Sequence, residues 1–587
     1  MSNKQEHEIF GLLNNDIADY EEPSGVEITD GYFFNMKETI NKIELYRASK
    51  FKSGDRDSQG DKKFFYNIVN PQCGNATKNI DIDRKDVRVK ANDGNHRIQA
   101  MIYNEELKYW MRENNIGYLF NKISEELPKY GSVIIKKVKD DVKFIPMRRC
   151  KFDPAVNNDE NNYNIQSSYF IEEHYYQPDG LRKMVKKGWD KKVVDELIEN
   201  MRKNQDNDIL VYEYYTEMPK SEGSDTYEMS VAYMSMIDVK TDKGKSFKGN
   251  NTKTGKLLFK GPVKKMPYKK IDYLTIEGRG LGLGIIEMLF DPQQRKNEMA
   301  NQKAKSMKLS SKHIFQTRDT AVEGNIMTDV MDGDVLKVNS EITPLANEER
   351  NLGAYAQEEG ILSDIIRSNA NAFEITTGEG LPSRTPFRLG ALMNQNAGKL
   401  FDFIRQNISM FWEEVLTEWI LPSFDAEMIK EHVFEIQDIK VIRAIVERDV
   451  NRRMNDAVAK YTVKFGKYPT IEEEAALEEI MKAQVSDIEF AEIIEGYLDF
   501  EKKVYIDISG EQDPIQEVET YTNMLMLMAQ NPNILQDPSL RDMLETLMAK
   551  TGIQTNLGNG GGAAPQAPPA QIAAGAPGAG TPGAPQA

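Results

Sequence analysis

Between Arg295 and Leu309 the residues at helical spacing are polar almost all the way round. A helix without an apolar stripe cannot sit in the core of its own subunit, so the fold must hold one helix in a wet or shared setting. A start signal precedes it. Asp291 is placed to cap orphan amides, Pro292 suits the first helical position, and Gln294 can reach back to the cap. At about 1.5 Å per residue, positions 292–309 would form a rod roughly 27 Å long. A second helical pattern carries Ile361, Leu362, Ile365, Ile366 and Phe373, and a third, ending near Pro422, carries Leu400, Ile404, Ile408, Phe411, Val415 and Trp419. Residues 313–316 and 334–338 read as strands around Gly324 and Gly333, a compact insert between the first two helices. Residues 376–390 are too polar and too broken by Gly and Pro for a core element, and a loop of that length between strong helices points to function or disorder.

The polar helix is also basic. Arg295, Lys296, Lys303, Lys305, Lys308 and Lys312 stand beside a single acid, Glu298, in a chain with 75 basic and 92 acidic residues and a net charge of −17. That balance argues against tight, non-specific gripping of duplex DNA and leaves room for weak contact. At 587 residues, 40% apolar and 28% charged, the chain has the composition of a folded protein with several layers or domains. No run approaches the roughly 18–20 apolar residues that span a bilayer, and the first ten residues lack the pattern of a signal peptide, so the expected site of synthesis and assembly is the cytoplasm. Cys73 and Cys150 have no His or Cys neighbours at ligand spacing and read as buried thiols.

Upstream, residues 1–30 read as an acidic arm or peripheral helix, 32–47 as an amphipathic helix and 53–62 as a polar loop. Ile80, Ile82 and Val87 alternate with Asp81, Asp83 and Asp86, which predicts a half-buried strand there. Residues 97–128 look helical, 131–139 and 143–147 look like paired strands, and 170–176, 209–216, 227–236 and 257–260 are further strands, with a helix near 189–201 and a basic loop at 240–256. Past Pro422, residues 433–441 look strand-like, 442–498 helical and Glu-rich, and 503–512 is the last strand. Two Met-rich helices, 515–530 and 539–550, precede a tail that holds almost only Gly, Ala, Pro and Gln from 556 onward and cannot build a core.

Reactive chemistry has little footing. Gly278, Gly280, Gly282 and Gly284 invite a phosphate-loop comparison, but no lysine follows Gly284, and flexible backbone at a domain junction is the simpler expectation. His7, His96, His174, His313 and His432 show no paired spacing, and the glutamate runs at 472–474 and 478–479 read as a solvated helix face. Neither a catalytic residue nor a metal or other cofactor is implied.

The order of polar helix, strand-rich insert, helix, polar loop and long helix, followed by a strand at 503–512, resembles the portal (head-to-tail connector) family of tailed bacteriophages. The resemblance implies an α+β ring subunit with wing, helical stem, strand-rich clip, long kinked helix and small helical crown. It divides the chain into an arm (1–30), wing (31–283 and 422–512), stem helix (284–311), clip (312–347), second stem helix (348–373), tunnel loop (374–390), long wing helix (391–421), crown (513–555) and disordered tail (556–587). It further implies a ring of twelve copies at one capsid vertex of the virion, a conduit for double-stranded DNA in packaging and ejection. The expected partners are the terminase large subunit, head-completion or tail adaptor proteins, and the major capsid or scaffolding protein, with no membrane. Arg384, Thr385 and Arg388, with Lys399 in the following helix, would touch DNA in the channel, and the basic residues of the stem would form a positive collar. Two other classes stay open: a cytoplasmic nucleic-acid-processing enzyme, and a scaffolding or adaptor protein without a channel.

Overall fold

In the computed structural model, the chain opens with helix α1 (Asn3–Glu21), a small hairpin of β1 (Glu27–Thr29) and β2 (Tyr32–Phe33), and α2 (Met36–Arg47). Asn35 caps α2 by accepting from the Glu38 amide at 2.8 Å. Then come α3 (Val69–Ile80), β3 (Val87–Ala91), α4 (Arg97–Glu113) and α5 (Ile116–Tyr130). Strands follow: β4 (Ser132–Val138), β5 (Asp141–Ile145), β6 (Cys150–Phe152) and β7 (Tyr169–Tyr176). After α6 (Pro178–Val185) and α7 (Lys191–Asn204) come β8 (Ile209–Pro219), β9 (Tyr227–Val239), β10 (Thr252–Pro262) and β11 (Tyr268–Asp272). Short α8 (Ile285–Met288) runs into α9 (Phe290–Ser310). Strands β12 (Phe315–Gln316) and β13 (Thr343–Pro344) precede α10 (Leu352–Asn369) and α11 (Phe387–Val415), which widens into a π-helical turn, Leu416–Ile420. Two more helices, Ile439–Phe465 and Ile471–Ser486, lead to β14 (Val504–Ile508). The residues described are 3–24, 27–57, 60–91, 96–156, 163–204, 208–220, 226–239, 252–310, isolated positions between 315 and 344, 352–369, 387–424, 439–486 and 504–508. All belong to the first of the chain's two units, Met1–Gly510.

The architecture is α+β. A five-stranded antiparallel sheet runs in the order β10-β9-β8-β7-β6, and a three-stranded sheet in the order β11-β4-β5. Strand β8 shows why both faces of the large sheet are covered. Tyr212 and Tyr214 point to one side, where they meet Ile9, Phe10 and Leu13 of α1, while Ile209 and Val211 point to the other, against Leu181, Val194 and Ile198 of α6 and α7. The largest core lies between the small sheet, α2 to α5 and α11, whose Ile404, Ile408, Phe411 and Val415 are 0–1% exposed. Burying four such side chains is worth about 1.5–3 kcal/mol each, enough to fix the long helix in place. Buried Lys269 of β11 adds a polar tether, pairing with Glu414 and, at 2.6 Å, with Glu418. Strand β14 closes the unit by pairing with β3, more than 400 residues back along the chain.

Several expectations need correction. Residues 80–86 are not a strand: Val69, Cys73, Ala76 and Ile80 form one buried face of α3, residues 84–86 make a 3-10 turn, and the strand begins only at Val87. Two apolar positions, Ile80 and Ile82, were too few to set the period. Helix α9 does not start at an Asp291 cap. The turn of α8 runs into it, the Gln293 amide donates to Leu289 at 2.8 Å, and the Gln294 side chain donates forward to Glu298. Residues 439–441 open a helix, and 252–256 of the expected basic loop belong to β10, the rest of that loop lying outside the described residues.

The glycine segment is the plainest reversal. It is packed, not flexible. A Cβ on Gly282 would stand 2.2 Å from the Gly131 carbonyl oxygen, and one on Gly284 2.5 Å from the Gly131 nitrogen. Gly131 itself sits at φ 78°, the left-handed conformation that ends α5. Its amides are spoken for as well: Gly280 donates to Pro154, Gly282 to the Ser132 hydroxyl and Leu283 to Leu274, each at 2.7 Å. Amides turned inward to protein acceptors cannot cradle a phosphate. The segment instead fixes where α8 and α9 leave the body.

Candidate functional site

Helix α9 resolves the puzzle of a helix that is polar all round, because its sides are used separately. One row, Gln293, Asn297 and Asn301, is spaced by four residues and faces the extended segment 64–68. Asn301 Oδ1 accepts from the Phe64 amide at 2.8 Å and its Nδ2 donates back to the Phe64 carbonyl at 2.9 Å. Asn297 Oδ1 accepts from Tyr66 at 2.8 Å, and Gln293 donates to the Tyr66 carbonyl at 2.6 Å and accepts from Ile68 at 2.9 Å. Four helical residues rise about 6 Å and two extended residues about 6.6 Å, so side-chain amides on the helix can stand in for a neighbouring strand. Gln293 and Asn297 are buried, and these bonds satisfy them.

The basic residues lie mostly on other sides, and acids far away in sequence meet them. Arg295 pairs with Glu358 of α10, Lys296 lies 2.6 Å from Glu359, and Lys303 lies 3.5 Å from the same carboxylate. Lys305 reaches Asp57 at 2.5 Å and Lys308 reaches Asp61 at 3.1 Å, both from the loop before the extended segment. Those partners hold the Glu359 carboxyl below its usual range, chiefly through the hydrogen bond from Lys296. The belt therefore carries much less net charge than its own sequence suggests. Lys312 lies outside the described residues, as do Arg384 and Thr385. Arg388 falls in the first turn of α11, because that helix begins at Phe387, earlier than expected. Lys399 is exposed on α11 with no carboxylate partner among the described residues. The structure thus places five of the basic stem residues along α9 and Lys399 on a different helix, α11. The described part of the expected clip is the pair β12 and β13, and the expected crown and tail lie outside the described residues.

A second cluster escaped sequence reasoning. In the β7–β8 ladder Glu172 stands directly opposite Glu213, and both side chains are buried. Like charges in that position repel unless a cation joins them. Lys136 of β4 does so, donating to Glu172 at 2.8 Å and to Glu213 at 2.6 Å. Tyr268 donates to Glu172 and Tyr215 to Glu213, each at 2.7 Å, and His174 Nε2 lies 2.8 Å from Glu213. Burial acts to raise the Glu213 pKa, but the hydrogen bond to His174 and the Lys136 charge outweigh it and bring it down to about 2. Glu172, His174 and Glu213 have the donors for a metal ion. The Lys136 ammonium already occupies the place such an ion would take, so the cluster reads as a pin between the two sheets. The available signal was Glu172 and His174 two apart on one strand face, but the partner positions 136 and 213 depend on register and sheet packing.

Neither a protein-family model nor a curated protein matches this sequence. No helix among the described residues is long and apolar enough to cross a membrane.

Proposed function

We propose that this chain is a portal subunit: copies close into a ring of twelve, duplex DNA passes through the centre, and the ring serves as docking site for a packaging motor and later for tail components. The observation that carries this reading is the pair α9 and α10. The chain leaves an α+β body along a helix with no apolar face and passes the strand pair β12–β13. It returns along a helix that buries Leu362 and Ile366 but leaves Ile361 and Ile365 exposed. A subunit that ties such a pair to its large core through Met299, Leu362 and Ile366, and leaves two isoleucines exposed on it, is suited to being covered by its own neighbours. The satisfied belt supports a channel that does not hold DNA tightly, as sliding requires. The reading assigns the chain no bond-making step.

The test is topological. The chain is allowed to assemble in the presence of linear duplex DNA, both DNA ends are then blocked with bulky groups, and the complex is washed in high salt. Threaded DNA stays until an end is freed. Release by salt alone, whatever the state of the ends, would show surface binding and remove the conduit reading.

A further inference from the structure

Among the described residues, one side of α9 is still open. At about 100° per residue, the row holding segment 64–68 centres near 40° around the helix, the row Lys296, Met299 and Lys303 facing α10 near 270°, and a third row, Gln294, Glu298 and Gln302, near 140°. This third row borders a groove of about 870 Å³ that also includes Leu45, Tyr46 and Phe51. Lys42 and Lys63 line it too, and neither has a carboxylate partner among the described residues. The Lys42 ammonium sits 4.1 Å from the Phe290 ring centre and the Lys63 ammonium 4.8 Å from that of Phe51.

Helix α10 carries the complement on its outer edge. Ile361 and Ile365 are 55% and 45% exposed. Exposed Asp364 lies between them and has no basic partner among the described residues, and no Lys or Arg occurs from 353 to 366. Gly353 and Gly360 face open space, so a neighbouring surface could approach the α10 backbone closely. We propose that the groove receives α10 of the next copy, with Ile361 and Ile365 on the Leu45, Tyr46 and Phe51 floor and Asp364 beside Lys42 and Lys63. Groove and donor helix lie about 130° apart around α9, so the contact is heterologous: each copy gives one edge and accepts on the other, as a closed ring requires. The inference rests on the ring reading and adds the contact that builds the ring.

The test uses the full chain carrying Gln302→Cys and Ile365→Cys together, with each single substitution as control. Native Cys73 and Cys150 are buried and do not compete. Treated with a short bis-maleimide, the double variant should give a ladder of covalent multimers beyond the dimer on a denaturing gel, and the single variants none. Covalent dimers from a single variant would mean like-to-like pairing and overturn the assignment. Rings visible by negative stain without a ladder would also overturn it while leaving the ring reading standing. Monomers at every concentration would remove both. A charge swap guards against a misfolded cysteine variant: Asp364→Lys should weaken association about tenfold, and adding Lys42→Glu should recover most of the loss. No recovery would count against the contact.

Discussion

Lys136 occupies a position whose loss has a calculable direction. With Lys136→Met, Glu172 and Glu213 remain opposed and buried without their cation, and removing one partner of such a network costs about 3–5 kcal/mol. A thermal unfolding midpoint unchanged from wild type would refute the pin. The pH dependence follows from the same geometry. The Glu213 carboxyl falls from the usual 4.5 to about 2 in the folded chain, so its contribution is complete above about pH 4.5, fades as the pH falls through the window down to 2, and is gone below it. Glu213→Gln should flatten that portion of a stability–pH curve, and a curve of unchanged shape would contradict the assignment. Gly282 supplies a different residue-scale check. Replacement by Ala forces a Cβ against the Gly131 carbonyl and should cost about 1–3 kcal/mol, whereas at a flexible junction the same change would be neutral or slightly stabilising. The two cases explain what was legible at this scale. Core stripes such as Ile404, Ile408 and Phe411 are written in local spacing, but the partners of Glu213 and the close approach at Gly282 exist only once distant segments meet.

At the scale of elements, α9 was recognisable as a polar helix and α11 as a buried one, because both follow from periodicity alone. The use of each side of α9 was not recognisable. Nothing in the spacing of Gln293, Asn297 and Asn301 names segment 64–68, more than 220 residues earlier, and nothing in the belt names Glu358 or Asp57. The strand expected near Ile80 fails for the opposite reason: the alternation there spans only two apolar positions, whereas the helical face runs all the way from Val69. The amide row makes a direct prediction. Asn297→Ala should leave the Tyr66 amide without its acceptor, at a cost of about 1 kcal/mol, and hydrogen exchange at Tyr66 should accelerate while exchange in β8 stays slow. Equal protection in both proteins would show that the row does not hold the segment.

On the scale of the whole molecule, the proposed reading gives the α+β body the task of a rigid frame and the α9–α10 pair that of the surface a neighbouring copy would cover. The packed glycine segment fixes where that pair leaves the body. On the portal reading, Arg384 and Arg388 would act on the DNA that passes through the ring. Arg384→Ala with Arg388→Ala should leave ring formation intact and let threaded DNA slip through faster. Loss of rings in that variant would reassign the loop to contacts between copies. Removing residues 556–587 should leave assembly unchanged.

The central claim is that this chain completes itself by closing a ring with its own copies, and the most direct test is the mass of the purified chain in solution over a range of concentration. The account predicts one dominant closed species near 800 kDa, about twelve copies of the 66.9 kDa chain. A monomer at every concentration and salt, or a series of open oligomers with no preferred size, would contradict it.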